Sequence, residues 1–159
     1  MMRCSALGLV VGLSTLICAG AAEAQIAGVP VSCVDFHRRP VALSAAPQLP
    51  DVGAARIFNG QPVILMNPVV LNQQPPVLQL FWYAHECAHH VLGHMVNPNL
   101  MNEAQADCWA VRTGRQQGWF PPAAFHLLAQ VLGSSPGSIW GHLPGPARIQ
   151  NMMACYKQP

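Results

Sequence analysis

A chain of 159 residues with 52% hydrophobic and 9% charged side chains allows one packed domain and leaves little room for a second. That composition excludes a disordered chain, which could not bury enough apolar surface to offset its lost entropy. A net charge of +2, with no basic run interleaved with aromatics, excludes an electrostatic nucleic-acid surface.

Arg3 gives the N-terminus a short positive start, and Leu7 to Ala22 is apolar. Ala22-Glu23-Ala24 offers small residues where a signal peptidase reads them, so residues 1–24 read as a signal peptide cleaved before Gln25. The alternative is a retained anchor, but roughly 16 apolar residues fall short of the roughly 20 a spanning helix needs. Lipidation of Cys18 would want a small residue before it, where Ile17 stands. The expectation is a periplasmic or secreted chain, with 25–159 as one domain and no membrane contact after cleavage. In an oxidising compartment Cys33, Cys87, Cys108 and Cys155 form an even set of disulfide candidates, and no CxxC pair suggests a thiolate metal site. The preferred pairing is Cys87 with Cys108 and Cys33 with Cys155. The first would lock two helices together and the second would staple the ends of the mature chain. Free buried thiols are the alternative.

Residues 25 to about 52 are rich in Pro, Ala and Val without a period, and read as an extended segment. Ala54 to Met66 reads as a hairpin: two apolar runs flank Asn59-Gly60, a dipeptide suited to the positive φ of a tight turn. Pro62 opens the second run, where a missing N–H is tolerable, and Asn67-Pro68 stops it. From Pro76 the pattern turns helical. Val77, Leu80, Phe81, Ala84, Ala88, Val91 and Leu92 recur at three- and four-residue spacing, and Gly93 is a stop. Further helices are expected over about 100–117, 122–132 and from Pro146 or Ala147 to about Tyr156, bounded by Gly118, Pro121-Pro122 and Gly133. Trp82, Trp109, Trp119 and Trp140 read as core or cleft walls.

The first of these helices carries His85-Glu86-Cys87-Ala88-His89. A four-residue spacing puts both imidazoles on one face, one turn apart, where they can grip one ion. Zinc suits neutral imidazole nitrogen and tolerates a tetrahedral site with an open corner. Glu86 projects beside that face, where a carboxylate can reach a water on the metal without occupying it. A third histidine in the HExxHxxGxxH form is excluded by Leu92 and Met95. A carboxylate from the next helix is the other solution. Glu103 and Asp107 share a face there; Glu103 can bind zinc while Asp107 accepts the free N–H of a ligand histidine and fixes its ring. Otherwise the two are solvated acids near a helix start. His90 and His94 repeat the four-residue spacing on a different face; they read as caps on helix-end carbonyls, with a second metal site as the alternative. His37 and His126 show no partner in sequence. Cys87 points away from the 85/89 face.

Tyr83 to His94 together with Asn102 to Asp107 resembles the gluzincins, and the M48-like zinc metallopeptidases in particular; ImmA-like peptidases are the nearest competing relatives. A third patch, His142-Leu143-Pro144-Gly145-Pro146-Ala147-Arg148-Ile149, is similar to the His-Pro-Pro and Arg-Ile that those proteins carry ahead of a closing helix. The likeness runs from about Ala54 to Ile149. It implies an α+β, zincin-like fold: a small sheet, an active-site helix, a ligand helix and closing C-terminal helices. It also implies zinc-dependent hydrolysis of peptide bonds outside the cytoplasm, with one Zn2+ per chain and a peptide or protein as substrate. In this reading His85, His89 and Glu103 hold the metal and Glu86 activates water. His142 is the candidate to steady the oxyanion, and Arg148 orients Asp107 or the last helix by a bidentate contact. The strand Val63 to Met66 is the expected edge along which an extended peptide adds. The alternatives are a non-catalytic secreted zinc-binding or interaction protein on the same scaffold, and a zinc store using the seven histidines.

Overall fold

The computed structural model of the chain describes residues 24–138 and 142–159. The signal-peptide reading of 1–24, apart from Ala24, and the reading of Trp140 lie outside the described residues. The described fold is mixed α+β, with five helices and two small sheets. Strands β1 (Gln25–Ile26) and β2 (Val29–Pro30) pair as a short antiparallel ribbon. β3 (Ala42–Ala45), β4 (Gly53–Phe58) and β5 (Gln61–Met66) form a second sheet in the order β3-β5-β4. β4 and β5 are the hairpin expected from Asn59-Gly60, whose φ angles are 48° and 79°.

β5 is the central strand of that sheet, with β3 parallel on one side and β4 antiparallel on the other. The expectation that Val63 to Met66 is a free edge is therefore wrong. Both sides of its backbone are already paired, and the free edge next to the helices belongs to β4. The segment read as merely extended supplies the partner: Leu43 pairs with Ile64 and Ala45 with Met66. β3 is mostly exposed and short, so it shows no alternation from which a strand could be read.

After β5 a one-turn helix, α1 (Pro68–Leu71), is started by Asn67. The Asn67 Oδ1 accepts from the Val69 and Val70 N–H groups, and its amide donates to the Leu49 carbonyl. This is an N-cap with proline at the first helical position. α2 (Pro76–Val91) follows, then α3 (Asn102–Gln116), α4 (Pro122–Leu132) and α5 (Gly145–Lys157). α2 is the middle of the molecule. It packs on β4 and β5 on one side and on α3 and α4 on another. From Leu80 to His90 every residue except Trp82 is buried, so burial runs round the helix rather than along one stripe, with His85, Glu86, His89 and His90 as its polar members. Leu92, read as part of that stripe, lies past the helix end and is exposed. Phe81, Ala84, Val111, Phe125, Leu128 and Met152 are core residues contributed by the four long helices.

The disulfides are Cys33–Cys87 and Cys108–Cys155, which overturns the preferred pairing. Cys87 sits two residues from His85, on the far face of α2 from the histidines, and that face looks at the N-terminal segment rather than at α3. Cys108, one residue after Asp107, looks at α5 for the same reason. Two disulfides fit an oxidising compartment. Among the described residues no helix is long and apolar enough to cross a membrane.

Candidate metal centre

α2 and α3 pack side by side, with α3 also against α5. The small Ala104 and Ala106 lie buried on α3 and leave its first two turns room to approach α2. This brings His85, His89 and Glu103 together, and one ligand atom from each lies within 4.8 Å of the others. The closest separations are 3.0 Å for His85 Nε2 to Glu103 Oε2, 3.2 Å between the two histidine Nε2 atoms, and 3.6 Å for His89 Nε2 to Glu103 Oε1. A tetrahedral ion with bonds of about 2.05 Å would hold its ligands about 3.3–3.4 Å apart. The measured separations bracket that value, with His85 nearest one oxygen of Glu103 and His89 nearest the other. The group could hold a metal ion, and its donors, two imidazoles and a carboxylate, suit zinc.

The electrostatics point the same way. Burial opposes a charge on His85, yet hydrogen bonds to Asp107 and Glu103 outweigh it and raise its pKa to about 10. Burial would push Glu103 up, but hydrogen bonds from His142, His85 and His89 pull it far below the usual carboxylate range. Asp107 is likewise held low against its burial by His85 and Arg148. The pocket thus demands positive charge between its two carboxylates. A proton supplies it on His85 when no ion does.

Behind the ligands stands a buried polar layer. Asp107 Oδ1 lies 2.9 Å from His85 Nδ1, and Arg148 grips the same carboxylate with two N–H groups at 2.6 and 2.7 Å. Asp107 and Arg148 are 2% and 3% exposed, so the pair is a desolvated, bidentate one. Arg148 also covers the rings of Phe81 and Trp82. His142 reaches in from the segment before α5, with its Nε2 2.8 Å from Glu103 Oε2, its ring stacked on His85, and Ser138 Oγ 2.9 Å from its Nδ1.

Glu86 lies beside the ligands, not among them. Its Oε2 accepts the Ala55 N–H at 2.7 Å from the free edge of β4. A Cβ on Gly53 would sit 3.0 Å from the Glu86 Cγ, so glycine makes room for the carboxylate there. His85, Glu86, His89, Glu103, His142 and Arg148 line one open cleft of about 780 Å³, with Trp82 and the edge of β4 as walls.

Two histidines behave differently from their reading as helix-end caps. His90 donates to the Val63 carbonyl of β5, tying α2 to the sheet. His94 is buried against His89, Nδ1 to Nδ1 at 3.1 Å, with its Nε2 3.1 Å from Gln105 Oε1. Sequence reasoning missed His94 because the contact is made past the helix stop; the signal was Gly93 five residues after Ala88. Burial lowers the pKa of both histidines. No family model, curated protein or solved structure matches the chain.

Proposed function

We propose that the protein is a zinc metallopeptidase that hydrolyses peptide bonds outside the cytoplasm, with one Zn2+ per chain on a zincin-like scaffold. The observation that carries this reading is the convergence of ligand atoms of His85, His89 and Glu103 within 4.8 Å of one another beside a carboxylate that is not itself a ligand. A site built only to hold metal has no need of Glu86. His85, His89 and Glu103 would hold the ion, which when bound supplies a Lewis acid and acidifies water at neutral pH. Glu86 acts as the general base and hands the proton on to the leaving amine. Its Oε2 is fixed by Ala55, which leaves the second oxygen to take the proton.

The backbone of β4 runs along the cleft wall as a sheet edge, so an extended substrate aligns there by main-chain hydrogen bonds. His142 is the group to steady negative charge on the scissile carbonyl. Its Nε2 lies 2.8 Å from Glu103 Oε2 at the metal site, where an N–H on that nitrogen would be a donor for the oxyanion. The two disulfides support an extracytoplasmic location.

Glu86→Gln tests the reading directly. The variant should bind as much zinc as wild type and cleave an unstructured protein substrate about 10²–10⁴-fold more slowly. Undiminished cleavage would remove Glu86 from the mechanism, and a wild-type chain that takes up no zinc would remove the site.

A further inference from the structure

A histidine that binds metal through Nε2 must be neutral and must carry its proton on Nδ1. That N–H needs an acceptor, or the ring is free to turn. His85 has one in Asp107. His89 has no carboxylate at its Nδ1 among the contacts of the described residues.

The helix terminator supplies the answer. α2 ends with Leu92 as its cap residue and Gly93 at φ 72°. The Gly93 N–H bonds the His90 carbonyl at 3.2 Å, and the His94 N–H bonds the His89 carbonyl at 2.9 Å. This pair of bonds is a Schellman stop, which folds the second residue past the cap back onto the residue three positions before it. The side chains so brought together are usually apolar. Here they are His94 and His89, and their Nδ1 atoms meet at 3.1 Å.

Only one proton fits between two facing nitrogens at that distance. If it sits on His89, the His89 Nε2 lone pair is free for the ion, His94 accepts through Nδ1, and the His94 proton is on Nε2, donated to Gln105 Oε1 at 3.1 Å. If it sits on His94, the His89 Nε2 carries hydrogen toward His85 and cannot bind metal. The geometry points to His94 as the positioning residue of His89, in a one-way relay whose polarity is set by the Gln105 carbonyl. This rests on the metal-centre reading above. The two ligand histidines are then backed by different means, His85 by a carboxylate clamped by arginine and His89 by a neutral imidazole.

The test uses the full folded chain with zinc as the probe. Affinity is read by competition with a chromophoric chelator, and site geometry by the visible spectrum of the cobalt-substituted protein. His94→Phe fills the space without an acceptor and should weaken zinc binding about 10–100-fold and alter the cobalt spectrum. His94→Asn places an amide oxygen where Nδ1 stands and should keep affinity close to wild type. Gln105→Glu offers only acceptors, so it locks the same polarity and should bind zinc at least as tightly as wild type. In zinc-loaded wild type, nitrogen-15 NMR should find the His94 proton on Nε2; this reading does not depend on whether a variant folds. A His94→Phe protein that binds zinc like wild type, a His94→Asn protein as weak as His94→Phe, or an Nδ1–H tautomer at His94 would each overturn the relay while leaving the metal centre standing. A wild-type chain that binds no zinc would take both down.

Discussion

His85 faces two carboxylates at once, with Nδ1 2.9 Å from Asp107 and Nε2 3.0 Å from Glu103. In the metal-free chain a proton on the ring satisfies both, which is why its pKa rises from 6.5 to about 10. The stability this contributes is complete below pH 6.5 and is lost as the pH climbs through the folded value. Glu103 and Asp107 are shifted the other way, down from 4.5 and 3.8, so their contribution holds above those values and is lost only in stronger acid. Burial holds His90 and His94 below 6.5, so they cost stability at lower pH, and chelator-treated protein should therefore be most heat-stable near pH 6.5. It should lose at least roughly 3 °C of Tm by pH 9.5, for about 1 kcal/mol at the size of this chain. The zinc-loaded protein should show the opposite trend in its gain over the metal-free form. The ion displaces the His85 proton, and fewer protons compete as the pH rises. Thermal scans of both forms across this range check it, and a metal-free Tm that stays level or rises would mean that His85 does not hold the shared proton.

Among the elements, the helices were the readable part, because each long one starts at or near proline or stops near glycine and repeats its apolar residues at helical spacing. The same period made His85, Glu86, His89, Glu103 and Asp107 legible as one constellation, since each pair sits within a single helix. What spans two elements was not legible. The disulfide partners follow from which way the far faces of α2 and α3 look, and His94 reaches its partner through a terminator rather than a period. β3 was hidden because its parallel partner lies about 20 residues on and its own burial is slight. Gly114 belongs to this second class. It lies inside α3, where glycine is ordinarily a poor choice. Yet a Cβ there would fall 2.0 Å from the ring of the fully buried Phe120. The ring rides directly on the helix backbone, and the Trp119 and Phe120 N–H groups both bond the Gly114 carbonyl. Gly114→Ala should lower stability by about 1–2 kcal/mol, overpacking outweighing the gain in helix propensity. Adding Phe120→Leu should recover part of that loss as a non-additive term in urea unfolding. Additive losses would show that the two residues do not share the space.

At the scale of the molecule, two disulfides and the proposed metal site divide the work of holding the cleft, and no two of them join the same parts. Cys33–Cys87 ties the N-terminal segment to α2 beside Glu86. Cys108–Cys155 ties α3, which carries Glu103 and Asp107, to α5, which carries Arg148. Among the described residues the seam between α2 and α3 has no covalent link, and an ion held by His85 and His89 on one side and Glu103 on the other would bridge it. The disulfides span 54 and 47 residues, so chain entropy assigns each about 4 kcal/mol. An ion at about 1,000 times its Kd adds about 4 kcal/mol more. Against a total stability of about 5–15 kcal/mol, losing one kind of link should leave the protein folded and losing both kinds should not. Calorimetry on four states checks this: oxidised or reduced, each with zinc or with chelator. The oxidised metal-free and the reduced zinc-loaded forms should each melt in one transition below the intact protein, and the reduced metal-free form should show no transition. A reduced protein whose melting is unchanged by removing zinc would mean that the ion does not bridge α2 and α3.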